Sequence, residues 1–497
     1  MFSEPLIIKD AQVLEDPSLK STSPRRADIF IKDGVIKEIA RPLLCPTSPC
    51  KTLDAEGLLA MPGLINAHFH SPGNLLKGLL PALPLEIFML YEVPPMAANV
   101  LDPSATRTCT LLGAAEMLKN GITSVMDDAY HTPYVTKDNI DAMAQAYADI
   151  GIRATLAIDQ PNKIEYQKYP YLEDLLPAQV KKKMQEAPLQ SARDLLDLYG
   201  HLFTKWHGSH EGRIRAAVSC SAPQRVSDDY MQGLNALSLE RRVPFNMHIL
   251  ETKLQRVFGD EILGKSLVKF AHDRGILHEH SVVIHAIWVD ESDIELLAKT
   301  GVTIAHNPIC NLRLGSGIAP YYKWRDAGLP ICLGTDEALS DDRINLFDVM
   351  KMTGLVHTVH QPDWGLWPTA DEILAHALHG GARALGLDNI GVLREGFQAD
   401  IVLLDMKSTA LSPLNDLQRQ LVFSEDARSV RHVFVAGQQV VESGRLTCID
   451  EQALKEDAIN LTARQRDGAG EHDLATLEPF YRQMLERAEA NFHMSSH

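Results

Sequence analysis

Two histidines one residue apart, His68 and His70, close the apolar run LINAHFH (64–70) and are followed at once by Ser-Pro-Gly. In a β-strand residues i and i+2 share a face, so both imidazoles would project together from the strand end. Neutral imidazoles converging at one depth suit a divalent metal ion, although two polar residues near a strand end give the same spacing. Similar groups recur downstream. His248 lies in FNMHILE with Glu251 three residues on, His285 ends VVIH, His306 opens HNP and Asp336 sits in LGTDEA. One buried histidine is an ordinary core group. Several ionisable groups at the ends of separate strands are harder to read as packing, because desolvating them together is costly without a metal or partners.

Something must hold these groups at one level. Eight short apolar runs end in polar residues: 64–70, 122–128, 153–159, 214–220, 244–250, 281–287, 302–308 and 330–336. Helical segments separate them. DPSATRTCTLLGAAEMLKNG, for example, offers Ser104 as an N-cap, apolar residues at three-to-four spacing and Gly121 as a stop. Strand and helix alternating eight times predict an α/β fold, a (β/α)8 TIM-type barrel over 61–384, with reactive groups at the C-terminal strand ends. The flanks alternate with glycine turns, as in DIFIKDGVIKEIA and HVFVAGQQVVESGRL. They predict a small discontinuous β-sandwich domain from 1–60 and 385–449. Residues 450–497 form a helical C-terminal extension, in which LEPFYRQMLERAEANF is amphipathic and packs on the barrel or on another subunit.

The chain has 497 residues, 45% of them hydrophobic, enough for a large core and a second small domain. Its 48 Lys and Arg against 65 Asp and Glu give a net charge of −17, which argues against nucleic acid or an anionic membrane surface as partner. Seven cysteines without CxxC spacing read as reduced thiols in the cytoplasm. No run approaches the length of a membrane span.

Taken together, PGLINAHFH, HILE, IHA, HNPICNLRLGSGIAP, LGTDEA and REGFQADIVLLD resemble, in this order, the amidohydrolase superfamily. The resemblance is to its branch acting on ring amidines: cytosine and guanine deaminases, S-adenosylhomocysteine deaminase and triazine hydrolases. It implies that His68, His70, His248 and Asp336 bind one divalent ion, zinc or in some members iron. It makes Glu251 the proton-shuttling acid and His285 a contact to substrate and attacking water. His306 is either substrate-facing or only a hydrogen-bond partner of Asp336. Two-metal relatives use a carboxylated lysine on the fourth strand, and IRAAVSCSAP has none.

That set has a chemistry of its own. A metal-bound water has its pKa drawn toward about 7, and the hydroxide can attack a ring carbon bearing an amine. Asp336 accepts the water proton, Glu251 protonates the adjacent ring nitrogen and His285 steadies the intermediate or the hydroxide, so that ammonia leaves. The expected activity is therefore metal-dependent deamination of an aminopurine, pteridine or triazine. Hydrolytic dechlorination or alkylamine removal from a triazine-like ring is the alternative, which the retained Glu251 disfavours. A non-catalytic assembly protein predicts lost ligands, and none is lost. A homodimer or higher homo-oligomer is expected from the resemblance.

Substrate signals are weaker. Asn74, Lys77 and Glu92 follow the first strand and could reach a ligand, or the leucines around them could simply pack a helix. Asp127, Asp128 and His131 pass the second strand, where a carboxylate could pair a ring N–H or cap the next helix. Glu337, Asp341 and Asp342 after the eighth strand favour a substrate rich in N–H donors over one carrying phosphate or carboxylate.

Overall fold

The computed structural model describes residues 4–43, 50–97, 100–468 and 471–494, with side chains of 464–473 outside the description. Cys45 lies outside the described residues, and the other six cysteines are free thiols. All eight apolar runs form strands: Leu64–Phe69, Ile122–Ala129, Arg153–Ile158, Ile214–Ala216 continued by Val218–Ser219, Phe245–Ile249, Ser281–His285, Thr303–His306 and Ile331–Leu333. They pair in parallel and in chain order as two arcs.

Two seams join the arcs. Inside the fourth strand, Ala217 N–H donates to Leu156 O at 2.8 Å and Val218 N–H to Pro244 O at 2.9 Å. Between the first and eighth strands, the Asn66 amide donates to Thr335 Oγ1 at 2.8 Å and Thr335 N–H returns to Asn66 Oδ1 at 3.0 Å. One residue on, Asp336 N–H donates to His68 O at 3.0 Å. Gly334 makes this approach feasible, since a Cβ there would stand 2.7 Å from His68 Cβ and 2.5 Å from Asn307 Oδ1. Strand side chains alternate: Ile65, Met126, Ala157, Val282, Ala305 and Cys332 belong to one buried cluster inside the ring. Their neighbours Val125, Leu156, Val283 and Ile304 belong to the larger core shared with the helices.

Helix Pro103–Lys119 starts two residues earlier than expected. Its N-cap is Asp102, whose carboxylate accepts Ser104 N–H at 2.6 Å, because Pro103 takes the first helical position with its φ already set. The helix after the second strand is capped by Thr136, not by Asp127 or Asp128.

Both chain ends enter one nine-stranded sheet. Strand Ile401–Asp405 runs antiparallel to Leu58–Pro62, which continues through Gly63 into the first barrel strand. The tail folds back as helices Glu451–Gly468 and Glu471–Asn491. Leu477, Tyr481, Met484 and Ala488 of the second helix share a buried cluster with Ile87 and Leu90 of helix Leu85–Glu92, beside the barrel mouth. Among the described residues no helix is long and apolar enough to cross a membrane.

One ion pair ties sheet to barrel. Arg153, opening the third barrel strand, meets Asp400 in a two-pronged contact of 2.9 and 3.0 Å, with both side chains only 4% exposed. Asp400 Oδ1 also accepts Ala436 N–H at 2.7 Å, and its carbonyl accepts Gly63 N–H at 3.0 Å. Removing one partner strands the other charge, whereas replacing both with apolar groups does not. Asp400→Ala should therefore lower stability to urea by about 3–5 kcal/mol, and Arg153→Met with Asp400→Leu by clearly less. Equal losses in the single and double variants would contradict this account.

Candidate metal centre and active site

Four barrel strands deliver five polar side chains to one point. His68 Nε2 and His70 Nε2 each lie 3.7 Å from Asp336 Oδ1, and His285 Nε2 lies 3.6 Å from Asp336 Oδ2. His248 stacks nearly parallel to His70 at 5.4 Å and meets the His68 ring edge-on at 5.0 Å. Ligand atoms of His68, His70 and Asp336 fall within 4.8 Å of one another, as do those of His68, His248 and His285. Glu251 Oε2 is 3.7 Å from His285 Nε2. Every one of these residues is buried.

The backbone bends to do this. Ser221, Leu250, His285, Ala286 and Asp336, all at or just past strand ends, have φ between 45° and 70°. Non-glycine residues pay a strain cost in that region and hold it only where surrounding bonds fix them. The need is plain at His285. Val283 faces the helices and Ile284 the ring interior, so simple alternation would turn His285 outward. Its φ of 70° breaks the strand and brings the imidazole to Asp336 and Glu251.

The residues fit a metal ion. His70 Nδ1 lies 2.5 Å from the Asp128 carbonyl and His248 Nδ1 lies 2.8 Å from that of Ser221. Each Nδ1–H donates, which fixes the tautomer and leaves an Nε2 lone pair facing inward. His68 is wholly buried with neither ring nitrogen bonded, a costly state that a coordinated cation relieves. Burial, followed by the neighbouring imidazoles, holds His68 and His248 well below the usual histidine range, so both are neutral donors. Burial opposes charge on His70 too, but Asp336, Asp159 and Asp128 outweigh it and lift that ring to about 9. A divalent cation would satisfy the same carboxylate field. With a divalent cation in place of the His70 proton, three neutral imidazoles and one carboxylate, with no lysine among them, match a single-ion site for zinc.

A cavity opens beside this cluster. His70, His248, Glu251, His285 and Asp336 form its floor, and Leu85, Met89, Val93, Cys310 and Leu314 give it apolar walls. Glu92 and Glu337 also line it, with the Tyr130 hydroxyl donating to Glu92. Burial pushes both carboxyl groups up, and their mutual repulsion adds to this at Glu337.

Other expected contacts go elsewhere. Asn74 is not in the cavity lining: its amide donates to Ser71 O at 2.8 Å and Cys109 O at 3.0 Å, bracing the turn after the first strand. His306 is outside it too. Since Ala305 faces the ring interior, His306 faces the helices, where its Nε2 lies 3.0 Å from His357 Nε2 among Tyr321 and Trp324. Neither alternative weighed for His306 matches that position. Lys77 pairs with Glu116, and Asp342 accepts Gly78 N–H and meets Arg313. Asp127 accepts Ser71 N–H at 3.0 Å and the Tyr147 hydroxyl at 2.8 Å. Sequence reasoning missed Tyr130, Asp159 and Arg225, which all line the cavity. Asp159 and Tyr130 directly follow the third and second strands, the position that should have flagged them. Truncating His68 to Ala removes an imidazole with no structural hydrogen bond to lose. Zinc content of purified His68→Ala should therefore fall from one equivalent to below about a tenth, with circular dichroism unchanged, as expected for a lost ligand; retention of full zinc would exclude His68 as a ligand.

Residues 59–440 match the model of the amidohydrolase family. The chain is 30% identical over 455 residues to a 5'-deoxyadenosine deaminase of Methanosarcina mazei, covering 91% of this chain and 96% of that protein. It is 31% identical over 435 residues to a 5-methylthioadenosine/S-adenosylhomocysteine deaminase of Thermococcus kodakarensis, covering 87% and 93%. Among solved structures, an adenosine deaminase from Xanthomonas campestris with bound zinc superposes with a TM-score of 0.77 at 25% identity, over 93% and 98% of the two chains. The zinc complex of atrazine chlorohydrolase from Arthrobacter aurescens shares the fold, with a TM-score of 0.81 at 24% identity over 92% and 100%. The protein, with its single divalent-metal centre at the mouth of a parallel barrel, belongs to the amidohydrolase family.

Proposed function

We propose that this chain is a metal-dependent aminohydrolase that replaces the exocyclic amine of a small N-heterocycle by oxygen. The observation that carries the reading is the buried Glu251 carboxyl, 3.7 Å from His285 and beside the metal cluster. An acid held there serves amine departure from a ring amidine. The net change is R–C(NH2)=N– plus water giving R–C(=O)–NH– plus NH3.

His68, His70, His248 and Asp336 would hold the ion, which when bound lowers the pKa of a coordinated water and so supplies the nucleophile. Asp336 accepts the proton of the attacking water. His285 donates from Nδ1 to Asn311 Oδ1 at 2.8 Å, which leaves its Nε2 as an acceptor that orients that water between Asp336 and Glu251. Glu251 lies above the ordinary carboxylate range, chiefly through burial, so it carries a proton to the ring nitrogen next to the attacked carbon. The apolar walls exclude bulk water and hold the ring in plane.

The named activities of the relatives add adenosine derivatives to the aminopurine, aminopteridine and aminotriazine candidates. Chloride or alkylamine departure from a triazine uses the same nucleophile but has less need of Glu251. We read 61–384 as the catalytic barrel, 1–60 with 385–449 as a β-sandwich domain and 450–497 as a helical extension. The sheet drawn from both chain ends supports a discontinuous second domain. A cytoplasmic homodimer is the working assignment, and the free thiols agree with a reducing compartment.

Ammonia release by the zinc-loaded protein from adenine, guanine, cytosine, isoxanthopterin, melamine, 5'-deoxyadenosine and S-adenosylhomocysteine tests the reading. Glu251→Gln should lower kcat by about 10²–10⁴-fold. Because the acid must be protonated, wild-type activity should fall as pH rises through the raised Glu251 pKa, and that alkaline limb should vanish in the variant. Full activity in Glu251→Gln would remove the proposed acid, and chloride release from atrazine, with no ammonia from any ring of the panel, would move the enzyme to the dechlorinating reading.

A further inference from the structure

Arg225 closes the short turn Pro223–Arg225 that follows the fourth strand, and its side chain lines the catalytic cavity with His248 and Glu251. It is only 6% exposed. Its contacts are few: Nη2 lies 3.3 Å from Met89 Sδ, Nη1 lies 3.5 Å from Ser221 Oγ, and Nε has no partner. The contrast with Arg153 is instructive. That buried arginine has a two-pronged carboxylate partner at 2.9 and 3.0 Å, while no carboxylate of the described residues forms an ion pair with Arg225. A buried guanidinium left with a thioether and one long hydroxyl contact retains unspent donors in a planar fork.

We propose that Arg225 is the substrate-anchoring residue and that it selects heterocycles bearing a ring oxo group beside the amidine that reacts. This inference rests on the deaminase reading of the site. A guanidinium fork matches paired acceptor sites, such as the two lone pairs of a ring carbonyl oxygen or the O6 and N7 edge of guanine. A carboxylate or phosphate would match the fork equally well in shape. The cavity decides against a full anion, because Asp159 and Asp336 line it together with the single arginine. A neutral oxo group takes the hydrogen bonds without meeting that repulsion. Glu92 and Glu337, hydrogen-bonded to each other in the same lining, supply the complement, since their remaining acceptor capacity is open to a ring N–H or amine. An amino-oxo ring carries both edges, whereas an unsubstituted amino ring leaves the arginine unpaired.

The test uses zinc-loaded full-length protein and two ligand pairs that differ only by the oxo group, guanine against 2-aminopurine and isocytosine against 2-aminopyrimidine. Binding is measured by calorimetry at pH 7, and ammonia release alongside it. Hydrogen bonds to a charged group are the strong kind, so the oxo member of at least one pair should bind about 10- to 100-fold more tightly. In Arg225→Met that preference should shrink to within about threefold while zinc content stays at one equivalent, and Arg225→Lys, which keeps charge but not the fork, should restore only part of it. For any substrate turned over, the loss should fall mainly on KM and not on kcat.

No preference or no binding in either pair, or a preference that survives in Arg225→Met, overturns the proposal. Tighter binding of pterin-6-carboxylate than of pterin, lost in Arg225→Met, overturns the oxo assignment in favour of a carboxylate. The two readings can fail separately. Deamination of guanine or isocytosine with equal kcat/KM in wild type and Arg225→Met would leave the deaminase and remove the oxo anchor. An Arg225-dependent oxo preference without ammonia release from any ring would do the reverse.

Discussion

The hydrogen bond from Asp336 N–H to His68 O, 3.0 Å long, carries two obligations. It closes the first barrel strand against the chain leaving the eighth, and it joins the backbones of two residues that converge on the candidate metal centre. The Asn66 side chain repeats the linkage just below, donating to Thr335 Oγ1 and accepting Thr335 N–H. Ring closure and ligand placement are thus one event. A strand register error of one residue would turn side chains to the opposite face and dismantle the centre along with the seam.

That constraint explains how so many ionisable groups tolerate burial. The rings of His70 and His248 are each fixed by a backbone carbonyl, His285 is held by Asn311, and only His68 has no protein partner. The barrel therefore pays for its site with one orphaned imidazole and a field of carboxylates, both of which a divalent cation satisfies. Strained backbone at Ser221, Leu250, His285, Ala286 and Asp336 belongs to the same arrangement. Each residue leaves its strand in the left-handed region, and each is fixed by the neighbouring strands and ligands.

The sequence made the barrel and the metal cluster legible because their signals are short-range. HxH, HxxE and the eight apolar runs depend on spacing within one strand or its end, where covalent geometry fixes direction. His306 was misleading for the same reason: it ends its strand as the others do, but the parity of Ala305 turns it to the helices, and parity needs a known inward residue. Asn74 failed because a polar residue after a metal-binding strand can equally brace its own turn. Arg225 was invisible in sequence. An arginine in SAPQR looks like a surface loop residue until the fold shows Met89 and Ser221 closing over it.

The tail gives the remaining step. Helix Leu85–Glu92 holds three cavity-lining residues, Leu85, Met89 and Glu92, and on its other side Ile87 and Leu90 pack against Leu477, Tyr481 and Met484 of the last helix. Glu86 accepts the Thr252 hydroxyl at 2.6 Å, one residue beyond Glu251, and Lys253 meets Glu489 of the tail at 2.6 Å. Tyr481 reaches Glu165 at 3.0 Å on the segment that follows the third strand. The last helix therefore grips the elements following the first, third and fifth strands at once. Apolar area buried in that cluster, more than the exposed ion pair at Glu489, supplies the grip, since solvent screens the latter. The wall that carries Met89 and Glu92 is thereby held from both sides, by the barrel floor beneath it and by the chain's final helix above.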